Sequence, residues 1–455
     1  MARIRKKYLC RQCGYASLKW VGRCPNCSEW NSLLENTLVS SSPLGDLSQH
    51  RSLTSPQGIG DVSAATLTRY VTGSEEVNRV LGGGLVPGSL ILLGGDPGIG
   101  KSTLLLQLAH QVAQQYGKVL YVSAEESVQQ IALRAKRLGL GSNKLLLLGE
   151  ADLRVAVDYM EHLDPIMVII DSIQTVYCPE ITLIPGSLGQ VRESAAFLMK
   201  FAKNTDKIIW LVGHVTKEGA IAGPRVLEHM VDVVLYLEGE SQYCFRVLRG
   251  VKNRFGPTDE TGILEMHEQG LLDVVNPSAC FLAERPAGVA GSVVVATMEG
   301  TRPLLVEIQA LVVPSGFGQP RRSVTGADYN RVSLILAVLE KRVGLNILNQ
   351  DVFVNVVGGV KVNEPAVDLG IAVALASSFK GIPAQEGYLV MGEIGLTGEI
   401  RSVSYVENRL REAMRLGFGP LVIPQGNVRS LEKFSKAMII GVGTLVEALE
   451  VVLQR

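Results

Sequence analysis

At 455 residues the chain is long enough for two or three domains. Lys+Arg and Asp+Glu balance at 44 each, so no global field draws nucleic acid to it, and any such contact must come from local patches. No run approaches the roughly 18 apolar residues of a membrane span, and the basic start MARIRKKYLCRQC has no apolar stretch behind it, which speaks against a secretory signal and for a soluble cytoplasmic protein.

Residues 1–35 carry two CxxC pairs, Cys10–Cys13 and Cys24–Cys27. Each such knuckle bends its chain so that both sulfurs face one point, and four thiolates complete a tetrahedral zinc. Gly14 after the first pair and Pro25 inside the second suit tight turns. A pair of redox motifs is the other use of CxxC, but it asks for a surrounding βαβ domain that this segment is too short to hold. The expectation is a C4 zinc ribbon, and a basic one, with seven Lys/Arg and no acid in the first 23 residues. Cys178, Cys244 and Cys280 are scattered and read as small core residues. Residues 36–60, rich in Ser, Thr, Gly and Pro and without apolar period, predict a flexible linker.

Residues 61–275 change to an α/β pattern. Leu90–Leu93 reads as a buried strand, followed by a glycine loop and a helix with apolar spacing. The loop, Gly95-Asp96-Pro97-Gly98-Ile99-Gly100-Lys101-Ser102-Thr103, is a complete phosphate-binding motif in the strand–loop–helix setting it requires. Its glycines let backbone N–H groups curl round the phosphates of ATP, Lys101 reaches the β/γ oxygens, and Ser102 can ligate Mg²⁺. KVLYVSAEES (118–127) is a strand followed by Glu125 and Glu126. Either carboxylate can orient and deprotonate the attacking water, although acids also suit the start of the next helix. Glu125 is the expected base, with Glu126 as the alternate. PIMVIIDSIQT (165–175) contains a strand that ends in Asp171, placed to hold the Mg²⁺ shell. KIIWLVGHVTK (207–217) runs to His214, which is either a γ-phosphate sensor or a structural histidine.

Strand, crossover and strand in this order imply a parallel sheet with helices on both faces, and ligands of such sheets gather at the carboxyl ends where these motifs fall. The set, together with EEVNRVLGGGLVPGSLILLGG (75–95), resembles the RecA-type ATPase core. That family usually has Asp where this chain has Asn78.

VKNRFG (251–256) follows two apolar runs late in this core. Arg246, Arg249, Lys252 and Arg254 put four cations within nine residues with no acid beside them in sequence. Zinc ribbon, RecA-type core and KNRFG together resemble the RadA (Sms) family of bacterial DNA-repair proteins over essentially the whole chain, and the five-residue motif is specific to that family. The resemblance implies a hexameric ring, driven by ATP along single-stranded DNA, that promotes branch migration of recombination intermediates. It also implies a strand-exchange recombinase as partner. By match of motif, Lys252 and Arg254 become the residues that couple ATP to DNA, as charged donors reaching a neighbour's γ-phosphate. A solvated basic turn is the plain alternative. The loops 176–194 and 216–229 would then face the ring's channel, with Arg192, Lys217 and Arg225 as the cations for a single strand's backbone. Tyr177 is their one aromatic, which favours phosphate tracking over base reading.

Residues 276–455 alternate strands and helices, and 351–383 with 388–418 resemble the α+β proteolytic domain of the Lon proteases. By that resemblance Asp368 stands where the serine nucleophile belongs and Glu407 where its lysine belongs. An acid fills neither role in acyl transfer, so the domain is expected to be protease-like in shape and proteolytically inactive. Ring contacts and a DNA-facing surface are its expected use, with Lys361, Arg321 and Arg322 as contributors or as ordinary solvated charge. Two other functions compete with the DNA motor: a nucleotide-switched scaffold that does not translocate, and an ATP-dependent peptidase.

Overall fold

In the computed structural model, which describes residues 6–13, 15–17, 19–37, 68–181, 183–214, 227–239, 244–316, 318–429, 431 and 438–453, the paired CxxC motifs sit on a three-stranded antiparallel sheet. Strand β1 (Lys6–Cys10) lies between β2 (Ala16–Ser17) and β3 (Leu33–Thr37), with Tyr8 opposite Ser17 and Cys10 opposite Leu33. The buried interior consists of Cys10, Cys24 and Leu33. So small a core does not hold a fold by apolar burial, and a metal is the usual substitute. β3 runs to Thr37, and the rest of the expected linker lies outside the described residues.

Among the described residues the chain divides into two units, the first drawing on 1–238, 248–258 and 266–272, the second on 239–247, 259–265 and 273–455. In the first, α1 (Glu75–Val80) starts where the Ser74 side chain accepts from the Val77 amide. Asn78 on this helix accepts from both the amide and the hydroxyl of Thr72, at 2.9 Å each, so it serves the local backbone. Strands and helices then alternate: β4 (Leu90–Gly95), α2 (Lys101–Gln115), β5 (Val119–Ser123), α3 (Val128–Arg137), β6 (Leu145–Gly149), α4 (Leu153–Leu163), β7 (Met167–Asp171), α5 (Leu188–Thr205) and β8 (Ile208–His214). With β9 (Val233–Glu238), β10 (Phe245–Asn253), β11 (Thr261–His267) and β12 (Gly270–Asp273) they build one sheet in the order β12-β11-β10-β9-β4-β8-β7-β5-β6. The strands from β9 to β6 are all parallel.

β4, β5 and β7 are buried along their whole length, as strands covered on both faces must be. Leu90 and Leu92 join Met160 of α4 and Leu198 of α5 in one cluster, which leaves Ile91 and Leu93 to the opposite face. Helix starts follow their caps: Ser127 makes a capping box with Gln130 at α3, and Asp152 and Ser187 cap α4 and α5. Because Ser187 starts α5 there, Arg192 lies in a helix rather than in the expected loop. Tyr177 is half-buried, and Lys217 and Arg225 lie outside the described residues.

The second unit opens with α6 (Pro277–Leu282) and is built on β13 (Ser292–Glu299), β14 (Arg302–Pro314), β15 (Arg322–Thr325), α7 (Tyr329–Val338), β16 (Gln350–Val356), α8 (Asp368–Lys380), β17 (Leu389–Val390), the small pair β18 (Glu393–Ile394) and β19 (Ile400–Arg401), α9 (Val406–Arg415), β20 (Leu421–Pro424), α10 (Gln425–Val428), β21 (Ile439–Val442) and α11 (Leu445–Val452). Its sheet, β15-β16-β14-β13-β17-β20-β21, mixes parallel and antiparallel pairs. Alternation along β13 serves two cores. Val293 and Val295 pack with residues of α7, α8 and α11, while Val294 and Ala296 pack with Val406, Leu410 and Ala413 of α9.

Of the three cysteines expected in the core, only Cys178 is buried. Cys244 and Cys280 are exposed, the first just before β10 and the second on α6 with Phe281 taking the buried position. No helix among the described residues is long and apolar enough to cross a membrane.

Candidate functional site

The phosphate loop joins β4 to α2. Gly95 (φ +152°) passes so close to β9 that a Cβ would stand 2.5 Å from the Leu237 carbonyl oxygen, and Gly100 (φ +116°) occupies the N-cap of α2. No side chain caps that helix, so its first amides point into the loop unanswered, a ready anion site. Asp96, Pro97 and Gly98 are exposed, Ile99 is buried, and Ser102 and Thr103 are half-buried. Lys101 is only 3 % exposed. Its Nζ donates to the carbonyls of Gly95 and Asp96, at 2.8 and 2.9 Å. Burial pushes the Lys101 pKa down, opposed by the charges of Asp171, Asp96 and Glu125.

Strand order brings the remaining residues beside it. Gly95 pairs with His214 across β4 and β8, and Ser123 pairs with Asp171 across β5 and β7, so these strand ends line one edge of the sheet. Asp171 accepts a hydrogen bond from the buried Tyr121 hydroxyl at 2.5 Å, and Ser102 is a second hydrogen-bond partner of Tyr121. Burial and the Asp171 charge hold the Tyr121 pKa well above the ordinary tyrosine value. Glu125 accepts from Ser172 Oγ at 2.5 Å and stands 3.4 Å from His214 Nε2. The His214 contact lowers the Glu125 pKa most, burial opposes it, and Ser172 and Lys101 add to the lowering. Glu126 is turned to Arg134, with which it pairs at 2.5 Å. Gln174 donates to the His214 carbonyl (3.1 Å) and accepts from its amide (3.3 Å), tying the end of β7 to the tip of β8. Tyr121, Ser172 and Gln174 escaped the sequence reading. Ser172 and Gln174 follow Asp171 directly, which was a signal, whereas Tyr121 looks like any strand residue until β5 and β7 are known to be neighbours.

KNRFG ends β10 at the other end of the sheet. Asp232 receives the Leu90 amide on Oδ2 (3.2 Å) and the Arg254 amide on its carbonyl (3.1 Å). Leu90 begins β4 and Gly95 ends it, a span of about 17 Å at strand rise. Arg254 therefore sits remote from its own phosphate loop. The four cations also have partners that the linear sequence hides. Arg254 lies 3.4 Å from Asp232, and Arg249 lies 3.4 Å from Glu238, because β9 is the neighbour of β10. Arg246 is buried, with Nη1 donating to the Phe245 carbonyl. Lys252 Nζ donates to the carbonyls of Glu228 (2.7 Å) and His229 (3.2 Å), and burial lowers its pKa, as does the charge of Arg254. Asn253 is structural: buried, it donates to the Val80 carbonyl and accepts from the Phe255 amide.

In the ribbon the sulfurs of Cys10, Cys13, Cys24 and Cys27 all lie within 4.8 Å of one another, with 3.5 Å between Cys10 and Cys27 and between Cys13 and Cys24. A tetrahedral zinc with bonds near 2.3 Å asks for sulfurs about 3.8 Å apart. Burial raises the Cys10 pKa, but the Ser32 hydroxyl and two backbone amides outweigh it and bring it down to about 6. Cys27 goes the other way: the Glu29 amide favours its thiolate, yet burial and the three neighbouring sulfurs push it up to about 12. Four thiols this close cannot all ionise without a shared cation, so the set fits zinc.

In the second unit Asp368 is wholly buried at the start of α8. Arg331 grips both its oxygens, Nε to Oδ1 at 2.8 Å and Nη2 to Oδ2, and the Ile394 amide donates to Oδ2 at 3.1 Å. Asp368 in turn raises the Arg331 pKa. Glu407 is half-buried on α9 and pairs with Arg411 one turn along, at 3.4 Å. Arg321 is exposed, and Arg322 donates to the Leu348 carbonyl. Lys361 is exposed.

A phosphate loop, a strand-end aspartate and a nearby glutamate at the carboxyl edge of a parallel sheet define an ATPase of the mixed α/β class, preceded here by a four-cysteine metal ribbon. Family models agree in parts: an AAA domain matches residues 61–220, a rubredoxin metal binding domain matches 8–35, and the ChlI subunit of Mg-chelatase matches 316–427. The chain is 54 % identical to the DNA repair protein RadA of Halalkalibacterium halodurans over 100 % of both chains. It is 52 % identical to that of Bacillus subtilis and 51 % identical to that of Listeria monocytogenes, each over 99 % of both chains. The chain belongs to the RadA family of DNA repair proteins.

Proposed function

We propose that this protein is a DNA-dependent ATPase that moves on single-stranded DNA as a hexameric ring, in the cytoplasm, and drives branch migration of recombination intermediates beside a strand-exchange recombinase. The observation that carries the reading is the position of KNRFG: Arg254 lies at the opposite end of β4 from its own phosphate loop, so its use at a nucleotide requires a second copy.

The amides at the start of α2 and Lys101 bind the triphosphate. Ser102 and Asp171, the latter fixed by Tyr121, would hold a Mg²⁺ ion, which would supply neutralisation of phosphate charge. Glu125, kept ionised by His214 and Ser172, aligns the attacking water and takes its proton. Arg254 of one copy stabilises the charge that develops on a neighbour's γ-phosphate. Lys252 holds the carbonyls of Glu228 and His229, the end of the 216–229 stretch assigned to DNA, and so links the motif to the strand. By the resemblance to Lon proteases, Asp368 stands where that family's serine nucleophile belongs, and because it is an acid paired with Arg331 no peptidase activity is expected.

A branched DNA substrate labelled at each arm tests the reading. Wild-type protein with ATP is expected to move the branch in one direction, and Lys101→Ala is expected to abolish both hydrolysis and movement. Hydrolysis without directional movement would leave a nucleotide-switched scaffold.

A further inference from the structure

We infer that Trp20 and Trp30 of the zinc ribbon form a stacking platform for the bases of single-stranded DNA. The chain has three tryptophans, and Trp210 is buried in the sheet of the first unit at 1 % exposure. The other two stand on the ribbon with 54 % and 68 % of their surface open. They converge on one spot: a Cβ at Gly22 would lie 3.7 Å from Trp20 Cη2 and 3.8 Å from Trp30 Cζ3. Absence of a side chain at Gly22 leaves the two rings flanking an open position. Two large exposed indoles side by side are an unusual cost for a free surface, and a partner is the ordinary reason for them.

The chemistry around the rings points to a nucleic acid. Residues 1–35 contain seven Lys/Arg against two Glu. Arg23 stands 5.8 Å over the Trp30 ring, its Nε fixed by the Ser28 carbonyl at 2.7 Å. Lys19 and Arg11 are exposed on the same small module, as is Tyr15. Aromatic faces for bases, bordered by cations for the phosphates, are what sequence-tolerant single-strand binding uses. An apolar protein partner would not select the cations. The ribbon thus supplies the base stacking that the core loops lack, where Tyr177 is half-buried. The identity of the strand as DNA rests on the function proposed above.

Indole fluorescence reads this directly, since Trp210 contributes a shielded background. The zinc-loaded, full-length protein is titrated with oligo-dT, and ATP hydrolysis is followed in parallel. Quenching is expected, with Trp20→Ala and Trp30→Ala each weakening binding about tenfold while zinc content and DNA-free hydrolysis stay unchanged. Trp20→Phe and Trp30→Phe are expected to restore most of the affinity, because a phenyl ring still stacks. Unchanged fluorescence and affinity, alongside ATP hydrolysis that still responds to DNA, would overturn the platform and leave the motor standing. Quenching by a strand-exchange recombinase but not by oligo-dT would overturn it in favour of a protein-docking surface. Wild-type protein that neither binds oligo-dT nor responds to it would overturn the platform and the reading beneath it together.

Discussion

Glu125 is held between two neighbours of different character, the Ser172 hydroxyl at 2.5 Å and the His214 ring at 3.4 Å. His214, Ser172 and Lys101 together outweigh burial and keep its carboxyl below the usual carboxylate range. As the proposed base, Glu125 with a lowered pKa is ionised throughout the neutral range, and its contribution is lost only as pH falls through that lowered value. His214→Ala removes the largest lowering influence while burial remains, so the Glu125 pKa rises and the acid limb of the kcat profile moves to higher pH. A pH–rate profile at saturating ATP measures the shift, and an acid limb in the wild-type position would place His214 outside the environment of the base. Glu126 makes the contrast. Its pairing with Arg134 turns it away from the loop, so of two adjacent glutamates that the sequence left as alternates, one faces the phosphate loop and one does not.

Helix α8 carries its charge where an interior helix rarely does. Asp368 is wholly buried, and Arg331 reaches it from α7 with both Nε and the terminal Nη2 of its guanidinium. Removing one partner of such a pair strands the other charge, at a cost of about 3–5 kcal/mol. Arg331→Ala should therefore lower stability by about that amount in urea unfolding followed by circular dichroism, while Arg331→Met combined with Asp368→Leu should recover most of it. A loss below about 1 kcal/mol for the single change would contradict a buried, dependent pair. The elements themselves were largely legible in the sequence: the strand before the phosphate loop, the strand that ends in Asp171 and the strand that ends in His214 all stand where their apolar runs put them. Neighbours were not legible. Periodicity identifies a strand and its two faces but not the strand beside it, so the Tyr121–Asp171 hydrogen bond, across 50 residues, was hidden. Asp232 was hidden from Arg254 for the same reason, and Asn253 from Val80, 173 residues away. Arg192 was misplaced because Ser187 starts a helix inside a stretch whose glycines and prolines read as loop.

In the first unit the phosphate loop and KNRFG occupy opposite ends of one nine-stranded sheet. In the proposed ring a copy with a disabled loop lends its arginine to a neighbour, and a copy without the arginine uses its own loop. Mixing Lys101→Ala with Arg254→Ala at equal ratio should recover about a quarter of wild-type hydrolysis, the share of intact loops that meet an intact arginine when neighbours are random. Each variant alone should be inactive, and a mixture as inactive as its components would argue against action between copies. In the proposed motor the link from nucleotide to strand runs through Lys252, whose Nζ ties the end of β10 to the carbonyls of Glu228 and its neighbour His229. Steady-state ATP hydrolysis with and without single-stranded DNA, for the wild type and for Lys252→Ala, tests that link most directly. DNA should stimulate the wild type, and the stimulation should vanish in Lys252→Ala while nucleotide binding persists. Equal stimulation in both would return KNRFG to ordinary surface charge.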